Sequence, residues 1–88
     1  MKYAKMTKEQ IWNICQTKPN KDKIEILEKL EKECEELRAK RDKAGNDMNT
    51  GTLTEVRLEM LELLYEATDW QYIHARENYE LLEAWIEY

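Results

Sequence analysis

Residues 52–88 read TLTEVRLEMLELLYEATDWQYIHARENYELLEAWIEY, an unbroken run with neither glycine nor proline. Thr52 and Glu55 have the spacing of a capping box, in which a threonine hydroxyl and a glutamate side chain each satisfy the other's backbone N–H at a helix start. The stretch is therefore expected to be one helix over about 52–88. Leu58, Leu61, Tyr65, Thr68, Tyr72, Ala75, Tyr79, Leu82 and Ile86 recur at alternating steps of three and four. That is a coiled-coil seam sustained over four heptads. A second seam, Leu53, Val56, Met60, Leu63, Ala67, Trp70, Leu81, Ala84 and Tyr88, is interrupted by His74 and Glu77. At about 100° per residue the two seams lie on nearly opposite sides of the helix. Leu64 and Trp85 widen the apolar surface on one flank. The other flank is an acidic stripe of Glu55, Glu59, Glu62, Glu66, Asp69, Glu80, Glu83 and Glu87, broken by Ile73 and Arg76. Such a helix calls for neighbours on two sides.

Upstream, Thr7 and Gln10 form a second capping box, with Met6 and Ile11 at the spacing of a hydrophobic staple. A short helix is expected over about 8–16, ended by Pro19. The next helix is expected over about 20–44, with Asn20 or Asp22 as N-cap. Its seam is Leu27, Leu30, Cys34, Leu37, Arg41 and Ala44, and elsewhere it is almost wholly Lys, Glu and Arg. Many of those charges pair at i,i+4, the pattern of a solvated face that buries one seam only. Gly45 has the place of a helix-ending C′ residue, and residues 45–51 read as a polar reversing turn. The product is a single all-α domain spanning 1–88: a long antiparallel hairpin with a short N-terminal helix near its open end, assembling into a bundle. Pairing in register would leave the tail from Asn78 projecting.

The chain has 88 residues and a formal net charge of −5. Residues 1–44 carry twelve Lys/Arg against nine Asp/Glu, whereas residues 45–88 carry two against ten, a swing from +3 to −8. Two isolated cysteines, Cys15 and Cys34, fall at apolar helical positions and read as reduced core residues. No segment approaches the length of a membrane span, so a cytoplasmic location is expected. Lys is interleaved with Glu throughout, which gives no basic stripe for direct nucleic-acid binding. His74, the only histidine, has no second ligand at metal-binding spacing and reads as a packing or interface residue.

The segment Lys32-Glu33-Cys34-Glu35-Glu36-Leu37, followed by Glu66-Ala67-Thr68-Asp69, resembles the paired ExxE and ExxD elements of the MazG-like all-α nucleotide pyrophosphohydrolases. Carboxylates at i,i+3 share a helix face, and two such pairs can hold Mg²⁺ against a triphosphate. The resemblance implies Glu33, Glu36, Glu66 and Asp69 as metal ligands of a Mg²⁺-dependent nucleoside triphosphate pyrophosphohydrolase, usually oligomeric. That is the alternative. The leading expectation is a non-catalytic interaction module with no cofactor: an adaptor, or an inhibitor of a nucleic-acid-handling enzyme by analogy with phage-encoded inhibitors. Trp70, Tyr72, Tyr79, Trp85 and Tyr88 are its expected interface anchors, because aromatics dominate interface energetics. The acidic stripe would steer a basic protein surface. The second seam is expected to be covered by a second copy, as a homo-oligomer, or by that partner.

Overall fold

The computed structural model describes residues 1–87. Three helices follow in order, α1 (Lys8–Thr17), α2 (Asn20–Met48) and α3 (Glu55–Ala84). Helix α1 opens on the expected capping box: the Thr7 hydroxyl accepts from the Gln10 backbone, and the Gln10 side chain accepts from the Thr7 backbone. Helices α2 and α3 lie antiparallel along nearly their whole lengths, giving a body of 52 × 21 × 17 Å. The fold is an all-α helical hairpin with α1 packed on α3 at its open end.

The first seam of α3 is the one that α2 covers from Leu61 onward, while Leu58 at its start is exposed. Leu61, Thr68, Ala75 and Leu82 are buried, and Tyr65, Tyr72 and Tyr79 are half-buried between them. Buried residues thus alternate with half-buried tyrosines along the seam. From α2 the seam meets Leu27, Leu30, Cys34, Leu37 and Ala44. Each large aliphatic residue sequestered here stabilises the fold by about 2 kcal/mol. Arg41 also belongs to this α2 seam. It stays at the edge, its guanidinium 4.9 Å from the Tyr72 ring centre and 3.0 Å from Asp69 Oδ1. The Thr68 hydroxyl donates to the Leu64 carbonyl at 2.6 Å, so it needs no partner across the interface.

The element ends differ from the sequence expectation, and each difference has a physical source. Helix α2 does not stop at Gly45 but runs on to Met48, where Asn49 caps it, and the turn is 49–54. Gly45 has no positive φ, and a Cβ there would stand 3.4 Å from Cε2 of the Tyr65 ring. That is an ordinary contact distance, so Gly45 lies beside Tyr65 without the ring requiring a glycine there. Its helical cost of about 1 kcal/mol is offset by the extra turn of α2 against α3. Helix α3 begins after Thr54, whose hydroxyl accepts from the Arg57 backbone, rather than after Thr52. It ends at Ala84 rather than running on toward Tyr88, which lies outside the described residues. Beyond Ala84 the last carbonyls turn to side chains of α2. Lys23 Nζ donates to the Trp85 carbonyl at 2.6 Å, and the Asn20 amide donates to the Glu87 carbonyl and accepts from the Glu87 N–H. Asn20 is the first residue of α2 and Pro19 its N-cap, so neither Asn20 nor Asp22 caps that helix. These contacts also correct the projecting tail: a longer α2 keeps pace with α3, and Ile86 is buried.

Candidate functional site

The second seam of α3 is partly filled around His74 and Leu81, with Ala84 beyond them exposed, and open from Val56 to Trp70. The filling comes from residues 1–17. Helix α1 sets Ile11, Ile14 and Cys15 against Leu82 and Ile86 of the first seam and Leu27 of α2, with Leu81 of the second seam half-buried beside them, and its Lys8 ammonium reaches Glu77 at 2.9 Å. That pairing, strengthened by a hydrogen bond, holds the Glu77 carboxyl below its ordinary range. Trp12 and Trp85 meet edge to face with ring centres 4.9 Å apart.

Before α1, residues 1–6 form a non-helical strap, with a turn in which the Met6 N–H donates to the Tyr3 carbonyl at 3.2 Å, and it is held by buried polar groups. The Glu33 carboxylate accepts from the Tyr3 N–H at 3.1 Å and the Ala4 N–H at 3.4 Å. The fully buried Asn78 donates from Nδ2 to the Tyr3 carbonyl at 3.2 Å and the Met6 carbonyl at 2.9 Å. His74 Nε2 lies 2.7 Å from the same Met6 oxygen; a carbonyl only accepts, so this nitrogen carries the hydrogen. The lone histidine is therefore a strap anchor, as its reading as a packing residue anticipates.

N-terminal to the strap, the seam lies open. Val56, Met60, Leu63 and Trp70 are 68%, 66%, 67% and 73% exposed, and Leu64, Ala67 and Ile73 are exposed beside them. At the boundary, Ala4, Leu37, Trp70, Gln71 and His74 line a groove of about 340 Å³ between strap and helix. Glu55, Glu59, Glu62 and Glu66 are exposed along the adjoining flank. Among the other stripe residues, Asp69 is tied to Arg41, raising the guanidinium pKa, and Glu80 lies 3.8 Å from Arg76. Glu83 and Glu87 are exposed at the far end.

The expected anchors separate into three kinds. Trp70 projects from the open face. Tyr72 and Tyr79 pack inward against the hairpin core, and Trp85 leans on Trp12. Tyr88 lies outside the described residues. The four carboxylates of the pyrophosphohydrolase resemblance are not gathered into a site. Glu33 is engaged by the strap amides and Asp69 by Arg41, whereas Glu36 and Glu66 are exposed. Among the described residues no group of three or more His, Cys, Asp or Glu side chains is placed to hold a metal ion. Cys15 and Cys34 are free and buried, and burial pushes both thiols up in pKa, which keeps them protonated and unreactive near neutrality.

Sequence reasoning missed the strap and the residues that hold it, Asn78 above all. The sequence trace of it is the polar break in the second seam at His74, which meets the Met6 carbonyl; the other break, Glu77, meets the Lys8 ammonium. No known protein family matches this chain, and no curated protein or solved structure is significantly similar to it. No helix among the described residues is long and apolar enough to cross a membrane.

Proposed function

We propose that this protein is a non-catalytic docking module, an adaptor or an inhibitor, that works by presenting the N-terminal half of α3 to another protein surface. The observation that carries this reading is the continuous apolar face from Val56 to Trp70, exposed on one helix and edged by glutamates. Scattered apolar residues are ordinary on a protein surface, whereas a contiguous apolar stripe rimmed by charge is the anatomy of an interface. Trp70 supplies the kind of aromatic anchor that carries binding energy. Glu59, Glu62 and Glu66 favour a basic approach. Two buried, unpaired thiols suit a reducing compartment, in keeping with a cytoplasmic location.

Site-specific photo-crosslinking in the cells that make the protein tests this. A crosslinking side chain at position 63 should give an adduct of defined mass that Trp70→Ala diminishes. The same side chain at position 35, on the outer face of α2, should give none. Equal crosslinking from both positions, or none from position 63, would overturn the reading.

A further inference from the structure

The way the chain fills part of its own seam shows what the open part is built to take. We infer that the open groove from Val56 to Trp70 receives a single amphipathic helix of another protein, one that carries Lys or Arg along one flank. The inference rests on the docking reading and adds the chemistry of the partner.

Helix α1 is the internal template. It is short and amphipathic, and its apolar face packs on Leu82 and Ile86 with Leu81 at its edge, while Lys8 reaches sideways to Glu77. Eighteen residues make five whole helical turns, so positions 18 apart on α3 share one azimuth. Stepping back 18 from Glu77 gives Glu59, and stepping back 18 from Leu81 gives Leu63. Glu66, 11 residues before Glu77, falls within about 20° of the same line. The open half therefore repeats the pairing that α1 uses: an apolar lane with carboxylates along the same edge. Both repeated carboxylates are exposed, and neither makes an ion pair with another described residue.

The same step separates a helical occupant from a non-helical one like the strap. His74 and Asn78 use polar side chains to satisfy the backbone carbonyls of the strap. Eighteen residues earlier the corresponding positions are Val56 and Met60, which offer no donor. A non-helical segment laid there would bury unsatisfied carbonyls at a cost of about 1–3 kcal/mol each. A helix satisfies its own backbone and brings only side chains to the contact. The groove beside Trp70 and His74, closed by Ala4 and Leu37, receives a bulky apolar side chain at the upper end of such a helix.

Charge argues for a different protein over a second copy. An antiparallel twofold pairing through this face brings Glu59, Glu62 and Glu66 of both copies to one edge of the joint, where they repel. A lysine- or arginine-flanked helix meets the same row with attraction.

Two synthetic peptides of about 18 residues test the inference, with identical leucine stripes at three–four spacing and either Lys or Glu on the flank. Each is titrated by calorimetry into the full chain. The Lys peptide should bind one to one and at least about tenfold more tightly than the Glu peptide. Leu63→Gln and the double variant Glu59→Gln/Glu66→Gln should each weaken it about tenfold or more. Glu28→Gln/Glu35→Gln, an equal loss of charge on the outer face of α2, should change affinity by less than about twofold. Equal weakening by the two double variants would reduce the effect to overall acidity and overturn the inference, as would indifference to Leu63→Gln. Light scattering that shows a dimer dissolved by Leu63→Gln would leave the docking reading standing and overturn the basic-helix partner. A monomer that binds neither peptide would overturn both.

Discussion

Among single residues, the buried polar ones define how far the seam is covered. Asn78 sits fully buried with both Nδ2 hydrogens committed to strap carbonyls, and Glu33 holds two strap amides. Asn78→Ala should lower stability by about 1–2 kcal/mol, because the Tyr3 and Met6 carbonyls each lose one donor and keep another, the Met6 N–H and His74 Nε2 respectively. Glu33→Ala should cost about 1.5–3 kcal/mol and release protection from hydrogen exchange at Tyr3 and Ala4. Thermal unfolding with exchange measurements checks both, and unchanged protection at the strap would contradict the account. The exposed Lys8–Glu77 pair has a pH signature of definite sign. The folded-state pKa of Glu77 is depressed below its ordinary 4.5, so the pair contributes above that pH and the contribution is lost as pH falls through the lower folded value. The stability difference between wild type and Glu77→Gln should therefore be present at neutral pH and disappear in acid. Of this strap chemistry the sequence shows only the polar break in the second seam at His74. Residues 1–6 have no periodicity, and the partners of Glu33 lie 29 and 30 positions away.

Among the helices, the pairing of faces was legible and the ends were not. The three–four spacing of Leu61, Thr68, Ala75 and Leu82 names the face that α2 buries, because periodicity is a property of the whole segment. Ends depend on which of several local signals tertiary contacts select. Thr52 with Glu55 makes the better capping pattern, yet Thr54 caps α3, and Gly45 reads as a stop although Tyr65 packs over it. Thr54→Ala should thus cost about 1 kcal/mol, the usual value for a lost N-cap. Thr52→Ala, at an exposed turn position, should stay within about 0.5 kcal/mol. Denaturant unfolding of the pair decides between the two caps. A larger loss at Thr52 would place the helix start where the sequence pattern puts it.

For the whole molecule, α3 is shared between a structural task and a face left for something else. Adjacent leucines make the division measurable. Leu61 is buried against α2, so Leu61→Ala should cost about 2–4 kcal/mol. Leu63 stands in solvent, and Leu63→Gln should leave folding within about 0.5 kcal/mol of wild type. An exposed apolar face that contributes nothing to the fold points to binding. The sequence showed that a second face exists but not which half of it stays free, since that depends on where residues 1–17 lie. The most direct measurement is the amide and indole NMR spectrum of the full chain during titration with the Lys-flanked peptide. The account predicts that the largest shifts fall on Met60, Leu63, Ala67 and the Trp70 indole, with the outer face of α2 at Glu28 and Lys32 undisturbed. Shifts centred on that α2 face, or a Leu63 and Trp70 that do not respond while the peptide binds, would contradict it.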